Sequence, residues 1–226
     1  MLNLFQKIET ALSYIFSNSI NEKKFLKEQL NKKDITVIDI GANVGSFLDF
    51  IIKDFKIKKI CAFEPSILAY KKLKNKFNQK NITLENCALS NKNGFKKFYE
   101  YKLTSQSSFY KLTNKKNPFN EINKIYKVKT IKLDEYSDLK GKKIDICKID
   151  IQGEELNVLK GMQKNLYKKK IKLIKIEITI RNDYGDNKNQ FLNIVNFLKK
   201  YDYNIITISK VKFSKNKLMF MDVYFK

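Results

Sequence analysis

The stretch Val37-Ile38-Asp39-Ile40-Gly41-Ala42-Asn43-Val44-Gly45 decides the fold of this chain. A short apolar run rich in β-branched residues ends at Gly41, and a helical pattern begins just after Gly45. This order predicts a strand, a tight turn and a helix N-terminus. Glycine has no Cβ, so a ligand can approach the turn closely, and the helix start offers free N–H groups and the positive end of its dipole. We expect Asp39 to direct a carboxylate into the same crevice.

The turn differs from the phosphate-binding turn of dinucleotide-binding proteins, which reads G-x-G-x-x-G and rests a pyrophosphate on the helix N-terminus. Here Asn43 and Ser46 stand where the second and third glycines belong, and Asp39 would repel a pyrophosphate. S-adenosylmethionine carries an ammonium, a sulfonium and a neutral ribose but no phosphate, so the pattern D-x-G-x-x-x-G favours it over NAD. Judged from this segment alone, the alternative is an ordinary strand–helix turn in which the two glycines occur by chance.

The chain alternates apolar strands with helical patterns, and this alternation predicts right-handed βαβ units. The predicted fold is α/β and Rossmann-like, a doubly wound, mostly parallel seven-stranded sheet. The last two strands, 204–208 and 218–225, are joined by a loop too short for a crossover helix. We therefore expect an antiparallel C-terminal pair near one edge. Residues 1–33 are predicted to form an N-terminal helical appendage, and residues 34–226 the α/β domain.

Boundaries predicted for other elements follow from proline and turn residues. Pro65 suits the first turn of a helix, which we predict to run through Phe77. The third strand is predicted at 82–87. Asn91–Gly94 has the chemistry of a hairpin turn and precedes an alternating stretch, so we expect an inserted β-hairpin followed by a polar loop at 102–120.

The net charge of +23 raises the question of a nucleic-acid partner. Arg181 is the only arginine, whereas nucleic-acid sites commonly use arginine for bidentate contacts to phosphate and guanine. The lysines are spread over every predicted helix. We therefore interpret the charge as a solvated lysine coat and expect no dedicated nucleic-acid site, while attraction to acidic membranes or polyanionic substrates at low salt stays open.

The composition also excludes several kinds of site. The chain has no histidine, which excludes a His-based triad, a His metal site and a His general base. The three cysteines are odd in number and widely separated, so we expect buried thiols in a reducing compartment rather than disulfides or a zinc site, and no metal. They are Cys61, Cys87 and Cys147.

No apolar run approaches the roughly 20 residues of a membrane span. Gln6, Lys7 and Glu9 interrupt the apolar residues at the N-terminus, so we predict no signal peptide and a cytoplasmic protein. The apolar face of the N-terminal helical region is expected to pack on the main domain, with peripheral membrane contact as the alternative.

In such a sheet a ligand lies beyond the carboxyl ends of the central strands. Glu64 follows the second strand and is placed to accept both ribose hydroxyls, although a carboxylate is also favourable at any helix N-terminus. Residues at the end of the third strand can address the adenine edge. The predicted cofactor-binding residues are Asp39, Gly41, Asn43, Gly45, Glu64, Pro65, Asn86, Ala88 and Asp150.

Acidic residues also follow the next two strands. Asp150, Glu155 and Glu177 can each act as a general base or orient a substrate nucleophile. Asp150 is the leading candidate because it ends the strand itself, whereas acids at a helix start also favour the dipole without any further role. We expect the loops at 102–125 and 181–190, with the N-terminal helices, to select the substrate.

These segments together resemble the FkbM family of S-adenosylmethionine-dependent methyltransferases, within the class I Rossmann-like fold. The matching stretches are collinear over residues 37–178 and read VIDIGANVGSF, AFEPSILAYKKLKNKF, NCALSNKNG, SQSSF, TIKLDEY, KIDIQGEELNVLKGM and IKIEI. The last strand also fits. Many relatives carry a glutamate where this chain has Gln152, which weakens any role for an acid at that position.

The resemblance implies O-methylation, typically of a sugar hydroxyl in a glycan or of a natural-product scaffold. We therefore predict an enzyme whose acceptor is a small molecule or a glycan and attacks the methyl group in line. Asp39 would hold the methionine portion, Glu64 the ribose, and Asp150, or else Glu155 or Glu177, the acceptor. An RNA methyltransferase and a non-catalytic cofactor-binding scaffold are the alternatives, and the oligomeric state and pathway stay open.

Overall fold

The computed structural model describes residues 20–30, 34–112, 121–180, 190–214 and 217–226. The strands are β1 (Ile35–Ile40), β2 (Ile57–Phe63), β3 (Ile82–Glu85), β4 (Ala88–Leu89), β5 (Gly94–Tyr101), β6 (Ile122–Ile131), β7 (Ile144–Ile149), β8 (Ile171–Thr179), β9 (Ile205–Ser214) and β10 (Lys217–Phe225). The helices are α1 (Glu22–Gln29), α2 (Ser46–Asp54), α3 (Ile67–Lys76), α4 (Glu155–Lys160), α5 (Gln163–Tyr167) and α6 (Gln190–Lys199).

Seven strands form the central sheet in the order β3-β2-β1-β7-β8-β10-β9. Neighbours from β3 to β8 run parallel, and β10 is antiparallel to both β8 and β9. The predicted doubly wound sheet with an antiparallel C-terminal pair at one edge is therefore confirmed. This order places the carboxyl ends of β1 and β7 side by side at the centre of the sheet, where the predicted site residues lie.

Apolar side chains on both faces of the sheet explain why its central strands read as continuous hydrophobic runs. Along β1, Ile38 and Ile40 pack in the cluster that contains side chains of α4, α5 and α6, whereas Ile35 and Val37 pack with α1, α2 and α3. The three cysteines are free and buried, as predicted. No helix among the described residues is both long and apolar enough to cross a membrane.

Helix α1 lies within the predicted N-terminal appendage and packs on the sheet. Asn21 caps its first turn by accepting a hydrogen bond from the N–H of Lys24, and Leu26 and Leu30 are buried in the core. The appendage boundary at residue 33 stays a prediction, because residues 1–19 and 31–33 lie outside the described residues.

An additional three-stranded sheet is inserted between β3 and β7, with the order β4-β6-β5. Strands β5 and β6 form the expected antiparallel hairpin. The turn Asn91–Gly94 was expected to join paired strands, and that detail is wrong: it carries the chain from one side of β6 to the other. Thr130 pairs with both Ala88 and Gly94, and its hydroxyl donates to the carbonyl of Lys92, which holds the turn across the end of β6.

Three other boundaries differ from the predictions. Helix α3 begins after Ser66, because the Ser66 hydroxyl caps it by accepting a hydrogen bond from the N–H of Ala69, and Pro65 therefore precedes the helix. Strand β3 ends at Glu85, after which the chain passes to the inserted sheet at β4. Strand β9 extends to Ser214, since it pairs with β10 along its whole length.

Candidate functional site

A cavity of about 460 Å³ opens at the carboxyl ends of the central strands. It also touches β4, β5 and the segment 103–112, which follows β5. The cavity brings together most of the predicted site residues, namely Gly41, Asn43, Glu64, Pro65, Ala88, Asp150 and Glu177. The four predicted residues that do not line it are Asp39, Gly45, Asn86 and Glu155.

Both glycines of the β1–α2 turn adopt backbone conformations with positive φ, +79° at Gly41 and +88° at Gly45. A Cβ on Gly41 would lie 1.9 Å from the carbonyl oxygen of Asp150, and one on Gly45 would lie 2.3 Å from the ring of Phe77. The close approach that requires glycine is therefore made by the protein itself: Gly41 lets β1 and β7 end side by side, and Gly45 lets α3 pack on the turn.

Asp39 is fully buried, and its partner is a residue that sequence reasoning missed. The Lys148 ammonium lies 3.1 Å from Oδ1 of Asp39, 3.4 Å from Oδ2 of Asp150 and 3.2 Å from the Gly41 carbonyl. Burial disfavours the ammonium, but the charges of Asp39 and Asp150 prevail and raise the pKa of Lys148. Asp39 on β1 and Lys148 on β7 are paired in register. The sequence feature that could have identified this pair is a charge of opposite sign within each of two apolar strands.

One buried oxygen of this cluster lacks a partner. Oδ2 of Asp39 makes no hydrogen bond to the described residues, whereas Oδ1 accepts one from Lys148. A buried carboxylate oxygen without a partner is costly, and such groups in native proteins commonly meet a ligand or water.

Glu64 is buried where β2 ends, and backbone donors hold both of its oxygens. Oε2 accepts a hydrogen bond from the N–H of Asn43 and Oε1 one from the N–H of Ser66, each at 2.7 Å. Burial raises the pKa of Glu64 to about 7, although these two N–H groups favour the ionised form. A carboxylate oxygen has about two acceptor positions, so each oxygen can still accept one further hydrogen bond.

The Asn86 side chain stabilises the turn that follows β2. Its side-chain amide donates to the carbonyls of Glu64 at 2.8 Å and Pro65 at 3.3 Å. Because Asn86 does not line the cavity, Ala88 is the predicted adenine-side residue that does.

Two acidic side chains of the cavity are joined by a glutamine. The amide of Gln152 donates to Oδ1 of Asp150 and to Oε1 of Glu177, at 3.1 Å each. Burial and the nearby charges of Asp150 and Asp222 raise the pKa of Glu177 to about 7. The neutral amide of Gln152 thus holds two carboxylates close together.

Glu155 lies outside the cavity, at the buried start of α4. Its carboxylate accepts hydrogen bonds from the N–H of Gly153 at 3.0 and 3.1 Å and from the side-chain amide of Gln190. Burial raises the pKa of Glu155 to about 7. Its contacts hold α4 against α6, so of the three predicted acceptor-binding acids only Asp150 and Glu177 face the cavity.

Residues 103–112 form a strap along the cavity, and three side-chain hydrogen bonds fix its position. The Thr104 hydroxyl donates to Oδ1 of Asn43, the Ser108 hydroxyl to the carbonyl of Gln152, and the Tyr110 hydroxyl to Oε1 of Glu154. Of the other predicted substrate-selecting residues, 121–125 lead into β6 and Gln190 begins α6, whereas 113–120, 181–189 and 1–19 lie outside the described residues.

A second cavity of about 310 Å³ lies beside the first and shares Gly41, Asn43, Asp150 and Glu177 with it. Its walls carry charges of both signs. Lys175 lies 2.6 Å from Oε1 of Glu22 on α1 and 3.0 Å from Oδ2 of Asp222 on β10. Within the described parts of the chain, no three metal-binding side chains are grouped to hold a metal ion.

The raised pKa values of three buried glutamates lead to a prediction about stability. We expect the free energy of unfolding to fall as the pH rises from about 5 to 7.5. Glu64, Glu155 and Glu177 have folded pKa values near 7 against an ordinary value of 4.5, so the folded state binds more protons in this window and loses that advantage as the pH rises. The loss should reach about 1 kcal/mol or more per group.

Urea unfolding across this pH range measures the effect. The chain has no histidine, and carboxyls whose pKa values are lowered titrate below the window, so neither masks it. Glu155→Gln, outside the cavity, should reduce the slope. Stability that rises with pH between 5 and 7 would show that these glutamates are not buried as described.

Comparisons with known proteins identify a family for this chain. The family model for the methyltransferase FkbM domain matches residues 39–205, a segment that begins at Asp39 and includes Glu64, Asp150 and Glu177. No curated protein matches the chain.

The chain is also similar to solved methyltransferase structures. Methyltransferase FkbM from Methylobacillus flagellatus KT aligns with a TM-score of 0.55 and 19% identity, over 86% of this chain and 44% of that one, so the chain spans less than half of its length. A TM-score of 0.50 relates it to an rRNA methylase from Streptococcus thermophilus, with 15% identity over 91% of this chain and 93% of that one.

Fibrillarin from Aeropyrum pernix, in complex with natively bound S-adenosyl-L-methionine, also aligns with a TM-score of 0.50. Its identity is 10% over 88% of this chain and 68% of that one. At identities this low, the structural likeness shows a common fold and nothing finer.

Proposed function

Because the chain belongs to the FkbM methyltransferase family, we propose that it transfers a methyl group to a hydroxyl of a sugar in a glycan or of a natural-product scaffold. Its cofactor is S-adenosylmethionine. The observation that carries the proposal is the acidic pair Asp150 and Glu177, joined by Gln152 in the same cavity as Glu64. This arrangement offers a proton acceptor beside a site suited to a nucleoside.

The residues around the cavity fit this cofactor. Glu64 keeps one acceptor position on each oxygen for the ribose hydroxyls, with Pro65 and Ala88 toward the adenine. Asp39 lines neither cavity and reaches the site only through Lys148, whereas Gly41 and Asn43 line both cavities.

The second cavity matches the amino-acid end of the cofactor, which carries an ammonium and a carboxylate. Lys148, Lys175 and Lys210 supply positive charge on its walls, and Asp150 and Asp222 supply negative charge. A zwitterion needs both signs of charge at close quarters, and these walls supply both.

When bound, the cofactor supplies an electrophilic methyl group on a sulfonium, so the protein's main tasks are orientation and proton removal. We assign to Glu177 the removal of the proton from the acceptor hydroxyl, because a base whose pKa lies near 7 is matched to neutral pH. Gln152 fixes the direction of both carboxylates by donating to one oxygen of each, and Asp150 orients the acceptor. The strap 103–112 limits the access of water to the cavity.

Methyl transfer from labelled S-adenosylmethionine to a panel of sugars, oligosaccharides and hydroxylated natural products tests the proposal. Removing the base in Glu177→Gln should lower kcat about 100-fold or more, within the usual contribution of general base catalysis. Asp150→Asn should also lower it. The matched control is Asp138→Asn, a half-exposed carboxylate outside the cavity, which should leave transfer unchanged.

A parallel reaction with structured RNA completes the test. Transfer to RNA alone would overturn the hydroxyl-acceptor assignment, and cofactor binding without transfer to any acceptor would favour a non-catalytic scaffold. Full activity in Glu177→Gln would remove Glu177 from the mechanism.

A further inference from the structure

Glu100 is a buried acid that lies outside the cavity, on the inner face of the inserted sheet. It is 2% exposed and accepts four hydrogen bonds. Burial alone would disfavour its charge, but the hydrogen bonds from Tyr126, Ser66 and Leu68 prevail and lower the pKa of Glu100. Glu100 is therefore a fixed negative charge held by four donors.

Three hydrogen bonds fasten the start of α3 to the inserted sheet, two of them to Glu100 and one to Tyr126. Oε2 of Glu100 accepts hydrogen bonds from the Ser66 hydroxyl at 2.8 Å and from the N–H of Leu68 at 3.2 Å. The Tyr126 hydroxyl donates to the same oxygen at 2.7 Å and accepts from the N–H of Ile67 at 3.0 Å. Three successive residues at the helix start are thus tied to β5 and β6, and a carboxylate there also favours the helix dipole.

Ser66 connects this network to the cavity. Its hydroxyl donates to Glu100, while its backbone N–H donates to Oε1 of Glu64 at 2.7 Å. The donor that orients one oxygen of Glu64 therefore belongs to a residue that Glu100 holds in place. A substitution at Glu100 can therefore move the Glu64 carboxylate without direct contact between the two side chains.

We infer that Glu100, together with Tyr126, is a positioning residue for the cofactor site: through Ser66 it sets the direction of the Glu64 carboxylate, and the inserted sheet thereby controls affinity for the ribose of S-adenosylmethionine. This inference rests on the proposed function, since it takes Glu64 to be the ribose-binding acid. It gives the inserted sheet a second task besides lining the cavity.

A double-mutant cycle tests the inference by calorimetric titration with S-adenosylmethionine and S-adenosylhomocysteine. Glu100→Gln removes the charge and confronts the Ser66 and Leu68 donors with an amide, and should weaken binding about tenfold. Glu64→Gln retains one acceptor oxygen, so its binding stays measurable. In that background, Glu100→Gln should change affinity less than twofold, because coupled sites are not additive.

Glu154→Gln is the matched control. Glu154 is equally buried and accepts hydrogen bonds from Tyr110, Lys96, Ser90 and Asn157, but none of these contacts Glu64. Any effect of Glu154→Gln on binding should be the same in both backgrounds. If Glu100→Gln does not fold, Tyr126→Phe removes one donor to Glu100 and one acceptor for Ile67, and should show the same dependence on Glu64 with a smaller effect.

The outcomes separate the two proposals. If the wild-type protein folds but does not bind the cofactor, the proposed function fails. If it binds and Glu64→Gln weakens binding, while Glu100→Gln either has no effect or weakens binding equally in both backgrounds, the positioning role is overturned and the proposed function stands.

Discussion

Replacing Gly41 with alanine is expected to lower the free energy of unfolding by about 3 kcal/mol or more. The left-handed conformation at φ +79° alone costs an L-residue roughly 1–2 kcal/mol. The added Cβ would also lie 1.9 Å from the Asp150 carbonyl oxygen, a backbone atom that cannot rotate away. Relief of that clash must separate the ends of β1 and β7, where the N–H of Asp150 donates to the carbonyl of Ile40 at 3.0 Å.

The matched control for this prediction is Gly141→Ala. Gly141 has nearly the same φ, +78°, but a Cβ there would meet nothing within 4 Å. Its substitution should cost about 1 kcal/mol, from the backbone conformation alone. Denaturant unfolding of both variants gives the difference. Equal losses would mean that the close approach of β7 to Gly41 does not exist.

Replacing Glu64 with alanine is expected to weaken S-adenosylmethionine binding about 100-fold, since hydrogen bonds to a charged group contribute roughly 1.5–3 kcal/mol each. The substitution removes both proposed ribose contacts. It also leaves the N–H groups of Asn43 and Ser66 without their acceptor, which loosens the turn and the start of α3.

Glu85→Ala serves as its control. Glu85 pairs in register with Phe63 at the same edge of the sheet, and its carboxylate accepts a hydrogen bond from the Tyr136 hydroxyl outside the cavity. Calorimetry should show that Glu85→Ala leaves the affinity for S-adenosylmethionine unchanged. A Glu64→Ala protein that binds as tightly as the wild type would remove Glu64 from the cofactor site.

The parallel direction of the main strands could be predicted from the sequence because parallel strands buried on both faces read as apolar runs between helical patterns. Strand β1 is an example, because the apolar run that ends at Gly41 forms the strand Ile35–Ile40. The turn at Asn91–Gly94 misled the prediction, because local turn chemistry does not reveal which strand will pair. That choice depends on Thr130 of β6, distant in sequence.

The site was predictable where chemistry follows directly from a strand end, as for Glu64, Asp150 and Glu177, which all line the cavity. It was not predictable where a partner comes from another element. Lys148 is hidden in an apolar strand, and the contact of Glu155 with Gln190 depends on the packing of α4 on α6. Burial of this kind is set by the tertiary structure rather than by the local pattern.

Calorimetric titration of S-adenosylmethionine into the folded wild-type protein, beside Glu64→Ala, tests the central claim most directly. We predict binding at one site per chain, with the affinity reduced about 100-fold in the variant. A well-folded wild-type protein that binds no S-adenosylmethionine, or a variant that binds it equally well, would contradict it.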